Sequence, residues 1–345
     1  MANSSDFPAK ARTIREIALA AGVSIATVSR VMNNPGTVKK EKRELVQKVI
    51  AQNDYVHDGR ARALSSGRTL TIGLVIPTIT NSIYASSTQA IQRLAQAEGY
   101  SVILVVSDFD LDKERKLIQR LAERRVDGVI LTGGDHHPDL YRMLERNQIP
   151  FTLTWKMAET VHVPSVTFDN YAAGRLAMKQ LIDFGHRDIG LICGRTKVND
   201  RAMKRRQAYL DALAEIDVEA DSKRMFEGDF EFTDGQAAMH FMLAHSPAPT
   251  AVFAANDILA IGAMATCREV GLKVPEDISI MGFDDLPIAQ FCHPKLSTIH
   301  VPAKKMGEIA ARQLIRRING EEEIVSNVLP VSIVMRESVA KARSA

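Results

Sequence analysis

Two hydrophobic rhythms divide the chain. Over the first fifty residues the apolar positions fall at helical spacing, and from Leu70 onward short apolar runs alternate with amphipathic stretches. In residues 13–33, Thr13 and Glu16 have capping-box spacing, and Ile14, Ile17, Ala18 and Ala21 share one face of a short helix. Gly22 ends that helix, Val23 plugs the corner, and Ser24 is placed to cap a second helix. On the second helix Val28 and Val31 point inward, leaving Ile25, Ala26, Ser29 and Arg30 outside. Thr37 is expected to cap a third helix with Leu45, Val46, Val49 and Ile50 inward, and Lys39, Lys40, Lys42 and Arg43 outward.

The later rhythm predicts strands at Leu70–Pro77, Ser101–Ser107, Gly128–Leu131, Ile149–Trp155, Val166–Phe168, Ile189–Cys193, Ala251–Ala254, Ile278–Gly282 and Val331–Met335. Several are continuous apolar runs, as strands buried on both faces must be. Helices such as Ser86–Glu98 and Lys113–Glu123 fill the gaps, so the sheets are parallel with right-handed crossovers. Between the two regions, Asp58 can cap a helix of about eight residues, shorter than the roughly 12–15 that hold alone in water. This joint is expected to be loose alone and to fold on meeting DNA.

Charge sharpens the division. Residues 1–68 carry twelve Lys or Arg against six Asp or Glu, and the remainder 32 against 35. The net +3 is therefore a head of +6 on a body of −3, as expected for a polyanion-binding module on a separate sensor. With 345 residues, two or three domains are expected. No apolar run is long enough for a membrane span, and no export signal precedes Arg12, so the expected location is cytoplasmic. Three widely spaced cysteines fit a reducing compartment and buried structural roles.

The outer face of the second helix suits a DNA major groove. Ile25 and Ala26 can touch thymine methyls, and Arg30 can fork onto guanine. Through Val23-Ser24, Thr27-Val28-Ser29-Arg30-Val31 and Asn33, the segment resembles the DNA-reading head of the lactose-repressor/galactose-repressor (LacI/GalR) family. Tyr55 and Ala61-Arg62-Ala63-Leu64 resemble that family's hinge helix, with His57-Asp58 standing where the family usually has Pro-Asn. The resemblance implies that Leu64 pries open a central base step from the minor groove. Arg60, Arg62 and Arg68 lie close enough to neutralise phosphates. The expected DNA-contacting set is Thr13, Arg15, Ser24, Ile25, Ala26, Thr27, Ser29, Arg30, Asn33, Arg62 and Leu64.

The resemblance extends almost to the C-terminus. It implies an all-α helix-turn-helix head on an α/β, periplasmic-binding-protein-like body of two Rossmann-like lobes. The expected divisions are a head at 1–57, a hinge at 58–68, and a body at 69–345. Lobe 1 takes about 69–168 and 302–328, and lobe 2 about 169–298 and 331–341. Ligands of parallel sheets bind beyond strand carboxyl ends, here between the lobes. The candidates there are Tyr84, Trp155, Asp169, Arg205, Phe230, Asn256 and Asp284. Trp155, Arg205, Asn256 and Asp284 resemble the aromatic, arginine, asparagine and aspartate that face ligand across the family.

The basic stretch from Arg195 through Arg206 favours an anionic effector, such as a sugar acid, over a neutral sugar; a solvated positive helix end would account for it equally. No phosphate-binding, zincin or nucleophile-elbow motif occurs, so no catalytic residue, metal or cofactor is expected. His136-His137, beside Asp135, are expected to face solvent in a turn. The sequence thus reads as a dimeric repressor on a near-palindromic operator, switched by a small effector. The competing reading is a two-lobed solute-binding protein or α/β enzyme with an incidental basic head.

Overall fold

The first helix, α1 (Ile14–Ala20), starts where its cap is reciprocal. The Thr13 hydroxyl accepts from the Glu16 amide, and Glu16 Oε2 accepts from the Thr13 amide at 2.8 Å. The computed structural model describes residues 13–33, 35–55, 67–157, 163–245, 247–321 and 325–343. It divides into two compact units, Met1–Thr69 and Leu70–Ala345. In the first unit Gly22 takes φ +61°, a turn that a side chain would strain, and the chain re-enters helix at α2 (Ile25–Asn33). Ser24 Oγ accepts from the Thr27 amide at 3.2 Å at the start of α2. Ile17, Ala18, Ala21, Val28, Val31, Val46 and Val49 form the core with α3 (Lys40–Gln52).

Two expectations for α3 are corrected. Residues Pro35–Thr37 form a 3-10 turn, and the helix starts at Lys40 after Lys39, which offers no side-chain cap. Leu45 is exposed. Val46, Val49 and Ile50 fill the arc facing α1 and α2, Leu45 lies at its edge, and so small a core has nothing to cover it.

The second unit holds two parallel sheets. The first contains β1 (Thr71–Ile76), β2 (Ser101–Val106), β3 (Gly128–Thr132), β4 (Phe151–Thr154), β5 (Ser165–Thr167) and β11 (Asn327–Val328), in the order β11-β5-β4-β3-β1-β2. The second contains β6 (Ile189–Gly194), β7 (Met225–Gly228), β8 (Ala251–Ala254) and β9 (Ser279–Met281), in the order β7-β6-β8-β9. An antiparallel pair, β10 (Thr298–His300) with β12 (Ser332–Val334), lies on the connecting segments. The chain passes between the sheets three times, after β5, after β10 and after β11.

The helices that position the cleft begin at these strands' carboxyl ends. They are α4 (Ser82–Ala97), α5 (Leu111–Glu123), α6 (Leu140–Arg146), α7 (Asn170–Asp183), α8 (Asp200–Ala214), α9 (Phe232–Leu243), α10 (Asp257–Glu269) and α11 (Ala303–Ile318). Helix α4 starts earlier than the apolar pattern predicts, because Asn81 caps it through the Ile83 amide at 3.3 Å. Helix α11 returns to the first sheet and packs on α4, β3 and β4. Strands β7, β10 and β11 lack a sequence signal. They are two to four residues long, and β11 pairs only with the edge of β5.

Candidate functional site

On the head, Ile25, Ala26 and Arg30 are exposed on the outer face of α2, and Arg15 is exposed on α1. The polar members of the expected set are held locally. Ser24 Oγ lies 2.9 Å from Thr27 Oγ1, Asn33 Nδ2 donates to Ser29 Oγ at 3.3 Å, and Thr13 completes the α1 cap. The helix thus presents two apolar contacts and one fork-shaped donor on a surface whose hydroxyls are already oriented. Arg62 and Leu64 lie outside the described residues.

In the body, Tyr84, Trp155, Arg205, Phe230 and Asp284 come together around one narrow cleft between the two sheets. Trp155 leaves β4 with φ +68°, which turns its ring edge-on to Tyr84, centroids 5.3 Å apart. Phe230, from the second lobe, stacks on Phe109 from the first at 6.2 Å. Asp284 follows β9 at φ +117°, a conformation non-glycine residues rarely hold and one that recurs at binding sites.

Arg205 is buried on α8. Its Nε donates to Asn170 Oδ1 at 3.0 Å, Nη1 donates to the Ala255 carbonyl at 2.6 Å, and the guanidinium lies 3.7 Å above the Phe283 ring. Burial pushes it down to about 10, against the pull of Asp284. Asp284 Oδ2 accepts from Asn256 Nδ2 at 2.5 Å, while Oδ1 is buried with no hydrogen-bond partner. Burial pushes the Asp284 carboxyl up to about 7, partly offset by Arg205 and Asn256. Beneath it, Asp257 is held well above the usual carboxylate range by burial and by Asp284, and accepts from Thr298 Oγ1 and the Leu286 amide.

Two expected residues act from behind the cleft wall. Asn256 caps α10 through the Ile258 amide and reaches the cleft only through Asp284. Asp169 caps α7, accepting from the Tyr171 and Ala172 amides at 2.9 and 3.0 Å, and its neighbour Asn170 is the one that holds Arg205.

Sequence reading missed the individual role of Arg201, which it counted only within a basic stretch. Arg201 is buried in the cleft, with Nη1 on Asp200 Oδ1 at 2.9 Å and Nη2 on Tyr84 Oη at 3.4 Å. The expectation that His136 faces solvent is also corrected. Its ring is buried because both nitrogens find oxygen partners, Glu114 Oε2 at 2.8 Å and the Gly133 carbonyl at 3.0 Å. Among the described residues no group of three or more His, Cys, Asp or Glu is arranged to hold a metal ion.

A helix-turn-helix unit and a two-lobed body with a polar cleft, carried on one chain, define a ligand-responsive DNA-binding regulator. Residues 13–58 match the model of bacterial regulatory proteins of the lacI family, and residues 178–339 that of the periplasmic binding protein-like domain. The chain is 37% identical over 332 residues to the HTH-type transcriptional repressor PurR of Serratia proteamaculans (strain 568), covering 95% of this chain and 97% of that protein. It therefore belongs to the LacI family. Among solved structures it is similar to the lac repressor dimer bound to operator and the anti-inducer ONPF, with TM-score 0.85 and 27% identity over 96% of this chain and 100% of that one. It is also similar to a CelR–cellobiose complex, with TM-score 0.71 and 31% identity over 95% and 99%.

Proposed function

We propose that this chain is a homodimeric repressor in the cytoplasm, and that a small polar effector bound between its lobes switches its affinity for a near-palindromic operator. One observation carries the effector site: Asp284, a buried carboxyl with an unmatched oxygen, faces the same cleft as the buried guanidinium of Arg205. A cleft ligand that donates to Asp284 and accepts from Arg205 would satisfy both. Tyr84, Trp155 and Phe230 would stack on or enclose its ring, with Asn256 and Asp169 as supporting positions. The effector need not carry net charge. In the basic stretch, Arg195 pairs with Asp229, Arg206 faces Glu227 at 3.7 Å, and Arg201 pairs with Asp200.

On the DNA side, Ile25, Ala26 and Arg30 would read the major groove. Thr13, Arg15, Ser24, Thr27, Ser29 and Asn33 would set the register, and Arg62 and Leu64 in the 58–68 joint would engage the minor groove. Dimer formation is supported by two surfaces of the body: the open groove between α4 and α11, and Phe291, which is 79% exposed. The lac repressor relative is itself described as a dimer on operator. Among the described residues no helix is long and apolar enough to cross a membrane.

The test is a gel shift on the DNA upstream of the chain's own gene, against random competitor, with and without a metabolite library. Sequence-preferring binding that one compound changes supports the reading. Binding with no sequence preference under every condition refutes it.

A further inference from the structure

The two lobes touch each other across the effector cleft through their own side chains. The Asp200 amide donates to Asp135 Oδ2 at 2.9 Å, and Asp200 Oδ2 lies 3.8 Å from Lys156 Nζ. Deeper in, Arg201 Nη2 lies 3.4 Å from Tyr84 Oη, and Phe230 stacks on Phe109. Tyr84, Phe109, Asp135 and Lys156 follow strands of the first sheet, whereas Asp200 and Arg201 open α8 and Phe230 follows β7 of the second.

Asp200 is the hub of these contacts. Its amide serves Asp135, one carboxylate oxygen faces Lys156, and the other accepts from Arg201 Nη1 at 2.9 Å. Arg201 is 6% exposed, so loss of that carboxylate would leave a buried guanidinium poorly compensated and drive it toward water. The first lobe is shaped to receive it. A Cβ at Gly133, which follows β3 at φ +90°, would lie 2.3 Å from Arg201 Nη1. Glycine is what lets the guanidinium come so near. With the lobes in contact, the cleft has room for about one water. A ring does not fit beside these contacts.

We propose that the cleft is gated by a latch the protein supplies itself, in which Asp200 and Arg201 clasp Asp135, Lys156 and Tyr84, and Phe230 clasps Phe109, so that the effector enters only when the latch breaks. This rests on the reading of the cleft as the effector site. The latched state then competes with the effector, and apparent affinity falls in proportion to the fraction of molecules that stand open. The latch sets the effector concentration at which the regulator responds, independently of the groups that touch the effector.

The latch can be tested without an effector, because Trp155 is the single tryptophan and lines the cleft. Acrylamide quenching of its fluorescence is measured in the full chain and compared with free N-acetyltryptophanamide. Wild type should be quenched about tenfold more weakly than the free compound. Asp200→Ala should raise the quenching constant at least about threefold, because Lys156 and Arg201 lose their carboxylate together. Asp135→Ala should raise it by a smaller factor. Asp135→Asn should leave it at the wild-type value, since the amide oxygen still accepts from Asp200. A wild-type constant close to that of the free compound, no rise in Asp200→Ala, or equal constants for Asp135→Ala and Asp135→Asn overturns the latch. If Asp200→Ala does not fold, the double variant Asp135→Ala with Phe109→Ala replaces it, with the same threshold. Wild-type DNA binding is measured alongside. Its failure would sink the regulator reading and leave the quenching constants unaffected.

Discussion

Replacing Asp284 by Asn removes a carboxyl that the fold holds at about 7 against an ordinary 3.8. Below both values the group is protonated whether the chain is folded or not, and the shift has no effect on stability. As pH rises the unfolded chain ionises first, while the folded carboxyl keeps its proton. Stability therefore falls between the two values and levels off above about 7. The whole shift corresponds to about 4 kcal/mol, of which about 2 kcal/mol is lost between about pH 5.5 and about pH 8. The Asn variant does not titrate, and its side-chain oxygen can still accept from Asn256. Its stability relative to wild type should therefore rise by about 2 kcal/mol across that window. Asp257 adds to the slope of both proteins, less so in the variant because the Asp284 charge no longer raises it, and this widens the difference between them in the same direction. Urea denaturation followed by fluorescence suits the measurement, because Trp155 is the single tryptophan and lies buried in the cleft. Parallel pH profiles for the two proteins would refute the assignment of a raised, buried carboxyl to Asp284.

Other outcomes follow from packing and from the reading helix. Ile17→Ala empties a fully buried site in the head and should cost about 2–4 kcal/mol, comparable to all that so small a core supplies. DNA binding should vanish while the thermal transition of the body stays put, as two-step calorimetry would show. Gly262→Ala would bring a methyl to 2.1 Å from the Phe232 carbonyl and 2.9 Å from Gly235 Cα, so α9 and α10 would have to separate. A loss of about 3 kcal/mol in body stability is expected, measured by denaturant midpoint. Arg30→Ala should cost about 1–3 kcal/mol on the preferred DNA and much less on random DNA, compared by competition titration.

The head was largely legible because its structure is local. Thr13 with Glu16, Gly22 and Ser24 each act within four residues, and the positions of Ile17, Val28 and Val31 follow from helical spacing alone. Leu45 escaped because burial at the edge of a face depends on whether a neighbour is there to cover it. The long strands were legible as apolar runs, whereas β7, β10 and β11 are strands only because a partner edge happens to run beside them.

By itself, the sequence determined the two rhythms, the basic head, the strand-helix alternation and most residues that end up around the cleft. Those properties are set by neighbours along the chain and by which residue types water excludes. Only the tertiary structure decided that Asn256 holds Asp284, that Asn170 holds Arg205, that Arg201 closes on Tyr84, and that His136 is buried against Glu114. Each of those contacts joins segments far apart in the chain. Strand order and helix crossings set their distance, and with it their burial and the raised carboxyl of Asp284.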